Sequence, residues 1–146
     1  MSKRVLIVDD SPMITALLSL SLSQAGYHVD VAESGARALD MVEAFQPDLM
    51  LLDIDMPEVN GLDVLSAVKR RALQPAMPVI MLTGVDDPFY VGQAHRMGAA
   101  GFFAKPFDVD RLLRQLDRVL VDADTLWIDD HHAVTRRRSP ARAAMH

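Results

Sequence analysis

Asp53 is the residue of this sequence whose position most favours chemistry. It ends the apolar run 49–52 and precedes a turn that contains Pro and Asn-Gly. A carboxylate at the mouth of a hydrophobic strand is unfavourable unless it binds a cation or reacts. Three other apolar runs also end in polar side chains, namely Asp9 with Asp10, Thr83, and Lys105.

These side chains are expected to converge, because the carboxyl ends of parallel strands meet at one edge of a sheet. Three neighbouring carboxylates repel one another unless a hard cation lies among them, and Mg²⁺ accepts such oxygens together with those of a phosphoryl group. A carboxylate beside Mg²⁺ can attack phosphorus and form an aspartyl phosphate. The expected roles are nucleophile for Asp53, metal ligands for Asp9, Asp10 and Asp53, and phosphoryl-oxygen partners for Thr83 and Lys105.

The elements that position these residues alternate along the chain. Continuous apolar runs at 5–8, 49–52 and 79–82 are typical of central parallel strands, and the alternating run 28–32 is typical of an edge strand. A further strand ends at Lys105. Helices are predicted over residues 12–25, 35–45, 61–72, 88–97 and 108–121. The pattern predicts an α/β fold: a doubly wound, flavodoxin-like, five-stranded parallel sheet of order 2-1-3-4-5 with five helices.

Local signals set the ends of these elements. Ser11 before Pro12, and Asp108 before the last helix, are expected N-caps. Residues 1–121 are predicted to form one domain, and residues 122–146 a tail or linker without a second domain. Trp127 in this tail is expected to dock against the domain or to lie in the linker.

Composition excludes several classes of protein. The chain has 146 residues, no cysteine and 50% hydrophobic residues, and no apolar run approaches the roughly 20 residues of a membrane span. It is therefore expected to be cytoplasmic and not bound to membrane. Residues 1–124 hold 18 acids and 11 bases, a formal charge of −7, so direct nucleic-acid binding by the domain is not expected. The basic segment near the C-terminus is interpreted as a solvated linker, and the five histidines show no metal-ligand spacing.

The motifs together resemble the receiver domain of bacterial two-component response regulators, including chemotaxis regulators. They are Asp9 and Asp10, the run Asp53-x-x-Met-Pro-x-x-Asn-Gly, Thr83, and Lys105-Pro106, and the resemblance covers residues 4 to 121. It implies that Asp53 accepts the phosphoryl group, that Thr83 is the switch hydroxyl and that Lys105 binds the phosphate. It also implies Asp9, Asp10 and the backbone carbonyl of Asp55 as Mg²⁺ ligands, and Phe102 as the switch aromatic.

The resemblance further implies a signalling protein rather than an enzyme, one that assists its own phosphorylation and dephosphorylation. The donor would be a histidine kinase or a phosphotransfer protein. The face built from the fourth helix, fifth strand and fifth helix would signal to a downstream protein or an output domain, and it is also the expected homodimer surface. Gly84 stands where Ala often follows the threonine, and Asp55 and Val85 flank the acceptor where the family tunes the lifetime of the phosphate.

Two alternatives remain open at the level of sequence. The run Asp53-Ile-Asp55 resembles the Asp-x-Asp pair of haloacid-dehalogenase-like phosphatases, although Pro57 departs from that motif and the chain has little room for the usual cap. The other alternative is a receiver-shaped binding module that needs no phosphate. The five filled chemical positions argue against it.

Overall fold

The computed structural model describes residues 2–71, 77–84, 88–122, 125–129 and 135–136. The strands are β1 (Arg4–Val8), β2 (His28–Ala32), β3 (Leu49–Asp53), β4 (Val79–Thr83), β5 (Gly101–Ala104), β6 (Thr125–Asp129) and β7 (Thr135–Arg136). The helices are α1 (Pro12–Gln24), α2 (Gly35–Phe45), α3 (Gly61–Arg70), α4 (Pro88–Arg96) and α5 (Val109–Val121). Within these residues, no helix combines the length and the apolar composition that crossing a membrane requires.

The sheet confirms the predicted order and adds to it. Strands β2, β1, β3, β4 and β5 are parallel neighbours in that order. The prediction of five strands differs from the structure, because β6 pairs in parallel with β5 and β7 pairs antiparallel with β6. The sequence signal for β6 was weak, since its apolar run is short and lies among polar residues. The predicted domain boundary after residue 121 stays a prediction.

The core consists of two layers, one on each face of the sheet. Successive strand residues point to opposite faces, so the continuous apolar runs supply both layers. Leu6, Met50 and Met81 belong to the layer under α2, α3 and α4, whereas Ile7 and Leu51 belong to the layer under α1 and α5. This arrangement explains why the interior positions of the central strands are apolar and why polar side chains occur only at the strand ends.

Capping side chains begin four of the helices, and two of them, Ser11 and Asp108, were predicted from the sequence. The Ser11 hydroxyl accepts a hydrogen bond from the Ile14 N–H and Pro12 occupies the first turn, which confirms this predicted cap. Ser34 and Asp108 accept equivalent bonds at the starts of α2 and α5. Asn60 forms a reciprocal capping box with Asp63 at the start of α3. These caps satisfy backbone donors that a helix start leaves free, and they place α1 and α3 directly after the candidate site residues.

Candidate functional site

The carboxyl ends of four neighbouring strands bring the predicted residues together. Asp9 follows β1, Asp53 ends β3, Thr83 ends β4, and Lys105 follows β5. Asp9, Asp53 and Thr83 are buried, with exposed fractions of 1%, 3% and 0%. Buried polar groups at one sheet edge mark a site rather than a solvated surface.

Lys105 links the two buried carboxylates. Its Nζ lies 2.7 Å from Oδ2 of Asp9 and 3.5 Å from Oδ2 of Asp53, and its own side chain is 20% exposed. The stronger contact is a direct charge-assisted hydrogen bond to Asp9. One ammonium therefore faces two carboxylates, and the cluster keeps a net negative charge that a cation can offset.

Backbone donors from the following turns orient the two acids. The Ser11 N–H donates to Oδ1 of Asp9 at 2.9 Å, and the Asp55 N–H donates to Oδ1 of Asp53 at 3.3 Å. Each carboxylate thus has one oxygen toward its own turn and the other toward Lys105. Sequence reasoning did not identify the Ser11 N–H, although a residue that caps a helix two positions after an acid is a detectable signal.

The electrostatic environment raises the pKa of Asp53 from 3.8 to about 6. Burial contributes most, because a desolvated carboxylate is less stable than a neutral carboxyl group. The negative charges of Asp9 and Asp10 raise the pKa further, whereas Lys105 and the hydrogen bond from Asp55 lower it. Burial and the neighbouring carboxylates therefore disfavour the charged form of Asp53.

Three carboxylates of the cluster could hold a metal ion. Asp9, Asp10 and Asp53 each offer an oxygen, and these oxygens lie within 4.8 Å of one another. Asp10 is exposed while the other two are buried, so the group opens to solvent on one side. An all-oxygen donor set of this kind suits Mg²⁺. Asp55 is exposed and follows Asp53 by two residues. Its backbone carbonyl stays a predicted ligand.

Gly61 is a residue whose role sequence reasoning missed. Its N–H donates to the Ile54 carbonyl at 2.8 Å, which folds the loop after β3 back on itself. A Cβ at this position would collide with the Asp53 carbonyl oxygen and would lie 2.7 Å from Cα of Ile54. The Asn-Gly pair in the motif was the available signal. Gly61 therefore allows α3 to begin against the backbone of the candidate nucleophile.

Thr83 and Phe102 lie on adjacent strands. Thr83 pairs with Ala104 in the β4–β5 ladder, and its carbonyl accepts a 2.7 Å bond from the Lys105 N–H. Phe102 is buried, with 3% exposed, on the face that α4 covers. Their switch roles stay predictions. The peptide bond of the Lys105-Pro106 motif is cis.

Some predictions concern residues outside the described ranges. Val85, the basic segment 136–142 apart from its first residue, and three of the five histidines lie there. Gly84 is described, is exposed, and has space around it for a Cβ.

Comparison with known proteins agrees with this geometry. A family model described as the response regulator receiver domain matches residues 5–117. The chain belongs to the response regulator receiver domain family. Family membership removes the support for a haloacid-dehalogenase-like phosphatase, and receiver domains are signalling proteins rather than classical enzymes.

Relatives of this receiver domain include regulators of different lengths. It is 35% identical over 137 residues to the DNA-binding dual master transcriptional regulator RpaA of Synechocystis, covering 94% of this chain and 57% of RpaA. It is 33% identical to the chemotaxis protein CheY of Thermotoga maritima, covering 82% of this chain and 98% of that protein. The chain spans about half the length of RpaA and of the Bacillus subtilis regulator PhoP.

Solved receiver structures show the same fold. The structure of CheY4 of Vibrio cholerae matches with a TM-score of 0.77 and 34% identity, covering 82% of this chain and 100% of that one. The beryllofluoride-activated receiver domain of DrrB matches with a TM-score of 0.74 and 29% identity, covering 82% of this chain and 98% of that one.

Proposed function

We propose that this chain is a phosphoryl-accepting receiver of a two-component signal transduction system. The phosphoryl group passes from a histidine kinase or a phosphotransfer protein to Asp53, with Mg²⁺, and switches a protein-interaction surface. The strongest support is the Lys105 ammonium, which lies 2.7 Å from Asp9 and 3.5 Å from Asp53. A positive charge therefore stands where a phosphoryl group on Asp53 would need one.

In the proposed transfer, a carboxylate oxygen of Asp53 bonds to phosphorus as the bond between phosphorus and the donor histidine nitrogen breaks. The electron pair of that bond goes to the nitrogen. Asp53 must be ionised to attack, and a pKa of about 6 leaves it mostly ionised at neutral pH. Lys105 neutralises charge on the phosphoryl oxygens, and the Thr83 hydroxyl donates a hydrogen bond to one of them. In this way the chain assists its own phosphorylation and dephosphorylation.

The proposed Mg²⁺ ligands are the carboxylates of Asp9, Asp10 and Asp53 and the backbone carbonyl of Asp55. Bound Mg²⁺ supplies positive charge that offsets repulsion between these carboxylates and the phosphoryl oxygens. Two observations support the fit. The carboxylate oxygens are within 4.8 Å of one another, and the charges of Asp9 and Asp10 help to raise the pKa of Asp53. A divalent cation would relieve that repulsion.

The exposed face of α1 supports docking of a protein donor beside the site. Met13, Leu17 and Leu20 are 79%, 45% and 60% exposed, and their spacing places them along one side of the helix. This helix begins one residue after Ser11, whose N–H orients Asp9. An apolar stripe next to the acceptor fits a helical surface on the donor, because two apolar helix faces bury each other.

The proposed output surface is the face formed by α4, β5 and α5. Thr83 and Phe102 would act as the switch, since they lie on the paired strands β4 and β5. This face would contact a downstream protein or an output domain, and it is also the proposed homodimer surface. The cytoplasmic location expected from the sequence stays a prediction.

Transfer from a small donor tests the proposal. The purified chain is incubated with radiolabelled acetyl phosphate, with Mg²⁺ or with EDTA, and label on the protein is measured. The parent and the Glu58→Gln control, which changes an exposed acid of the same loop, should be labelled only with Mg²⁺. The Asp53→Asn variant should take up no label. Labelling of Asp53→Asn would refute the acceptor assignment, and absence of label in the parent would favour a phosphate-independent binding module.

A further inference from the structure

Strand β6 occupies the edge of β5 that would otherwise end the parallel sheet. Gly101 pairs with Ile128 and Phe102 with Asp129, and the Ile128 N–H donates to the Ala100 carbonyl at 2.9 Å. The backbones approach closely, since a Cβ on Gly101 would lie 2.5 Å from the Ile128 carbonyl oxygen. The absence of a side chain at position 101 is therefore what lets β6 pair there.

Two adjacent residues of β6, Trp127 and Ile128, are buried in opposite core layers of the receiver. Trp127 is 7% exposed and belongs to the same core layer as Phe102. Its ring centroid lies 4.6 Å from that of His95 on α4, and its Nε1–H donates to Oδ2 of Asp129 at 2.8 Å. Ile128 is fully buried in the opposite layer, under α5. The strand thus fills the space between α4 and α5 on the proposed output surface.

Strand β5 connects this edge to the phosphorylation site. One side of its four residues pairs with β4, where Thr83 faces Ala104, and the next residue is Lys105. The other side pairs with β6 through Gly101 and Phe102. A shift of Lys105 and Thr83 toward a phosphoryl group on Asp53 would displace β5, the strand with which β6 pairs. Phe102 lies between the two edges and shares its core layer with Trp127.

We propose that β6 is a tethered strand that closes the output surface of the phosphate-free chain, and that phosphorylation of Asp53 loosens it. This inference rests on the proposed function. The contact between β5 and β6 is short and closely fitted, with two register pairs in the described residues, so it tolerates little displacement of β5. Coupling is reciprocal. Displacement of β6 should therefore favour phosphorylation of Asp53.

Trp127 makes the inference measurable, because it is the single tryptophan of the sequence. Acrylamide quenching of its fluorescence is measured on the full chain, before and after addition of beryllofluoride with Mg²⁺. The quenching constant should rise at least about twofold in the parent, as the docked population falls, and should not change in Asp53→Asn. A matched sample treated with radiolabelled acetyl phosphate reports whether Asp53 is modified. Label without a change in Trp127 would refute this inference alone, whereas absence of label would refute the proposed function and the inference with it.

Variants of the β5–β6 contact test the reverse coupling, in which release of β6 favours phosphorylation of Asp53. Gly101→Ala should raise quenching without any phosphoryl mimic and should increase labelling by acetyl phosphate. Gly92→Ala is the matched control, because the atoms nearest to its added Cβ belong to the flexible side chain of Arg96, the first at 3.3 Å. Ile128→Pro is a second variant, which removes the N–H that pairs with Ala100 and lies outside the matched region 5–117. Exposure of Trp127 in either variant with labelling equal to the parent would overturn the coupling.

Discussion

Replacement of Asp53 by asparagine should stabilise the folded chain at neutral pH when divalent cations are absent. The structure buries Asp53 beside Asp9, and the resulting rise of its pKa from 3.8 to about 6 means that folding disfavours the ionised form. Asparagine is neutral and similar in shape, and its side-chain oxygen can still accept the hydrogen bond from the Asp55 N–H. The variant therefore removes the unfavourable charge and keeps the packing.

The size of the effect follows from the pKa values. A rise from 3.8 to about 6 corresponds to about 3 kcal/mol of unfolding free energy. Between these two pH values the folded state holds a proton that the unfolded state has released, so stability falls as the pH rises. The parent therefore has the stability that the protonated Asp53 provides in full below pH 3.8, and it has lost that stability above about pH 6. The difference between Asp53→Asn and the parent should therefore grow from pH 4 to a plateau near pH 7.

Urea unfolding at several pH values in EDTA measures this difference. Glu58→Gln, at an exposed position of the same loop, is the control and should show little pH-dependent gain. Addition of Mg²⁺ should stabilise the parent more than Asp53→Asn, because the ion binds the folded site. An Asn variant that is no more stable than the parent at pH 8, or whose advantage shrinks as the pH rises, would refute the electrostatic reasoning.

Other substitutions test the remaining parts of the site. Gly61→Ala should lower the free energy of unfolding by about 2 kcal/mol, because its methyl group would collide with the Asp53 backbone; an unchanged urea midpoint would contradict this. Lys105→Met should raise the pKa of Asp53 further, since the ammonium lowers it, and carboxyl NMR titration measures this rise. The same variant should slow labelling by acetyl phosphate about tenfold or more, as measured by initial labelling rates. Asp10→Asn should weaken Mg²⁺ binding about tenfold or more and leave metal-free stability nearly unchanged, because Asp10 is exposed; calorimetric titration and urea unfolding test both.

Much of the fold was readable from local patterns. The apolar runs before Asp53 and Thr83 predicted central strands because a strand covered on both faces must be apolar throughout. Ser11 and Asp108 predicted helix starts because a cap acts within three residues. The convergence of the polar side chains followed from the strand order, since parallel strands place their carboxyl ends at one edge.

Strand β6 was not readable in the same way. The apolar run of β6 is only three residues long, Leu126 to Ile128, in a mostly polar stretch, and such a run predicts neither a strand nor its partner. The pairing of β6 with β5 depends on Gly101, which lies far earlier in the chain. Gly101 matters because a side chain there would meet the Ile128 carbonyl. A contact of this kind depends on how α5, which connects β5 to β6 in the chain, packs on the face of the sheet.

The order of residues alone specified the chemistry available to this protein: acids, a hydroxyl and an ammonium at the ends of apolar strands. Those properties depend on short-range patterns and strand direction. Folding in three dimensions decided that Lys105 lies closer to Asp9 than to Asp53, that the pKa of Asp53 is raised, and that β6 covers the edge of β5. These properties are sums of burial and of charge interactions that change steeply over a few ångströms, and such distances exist only once the whole core has packed.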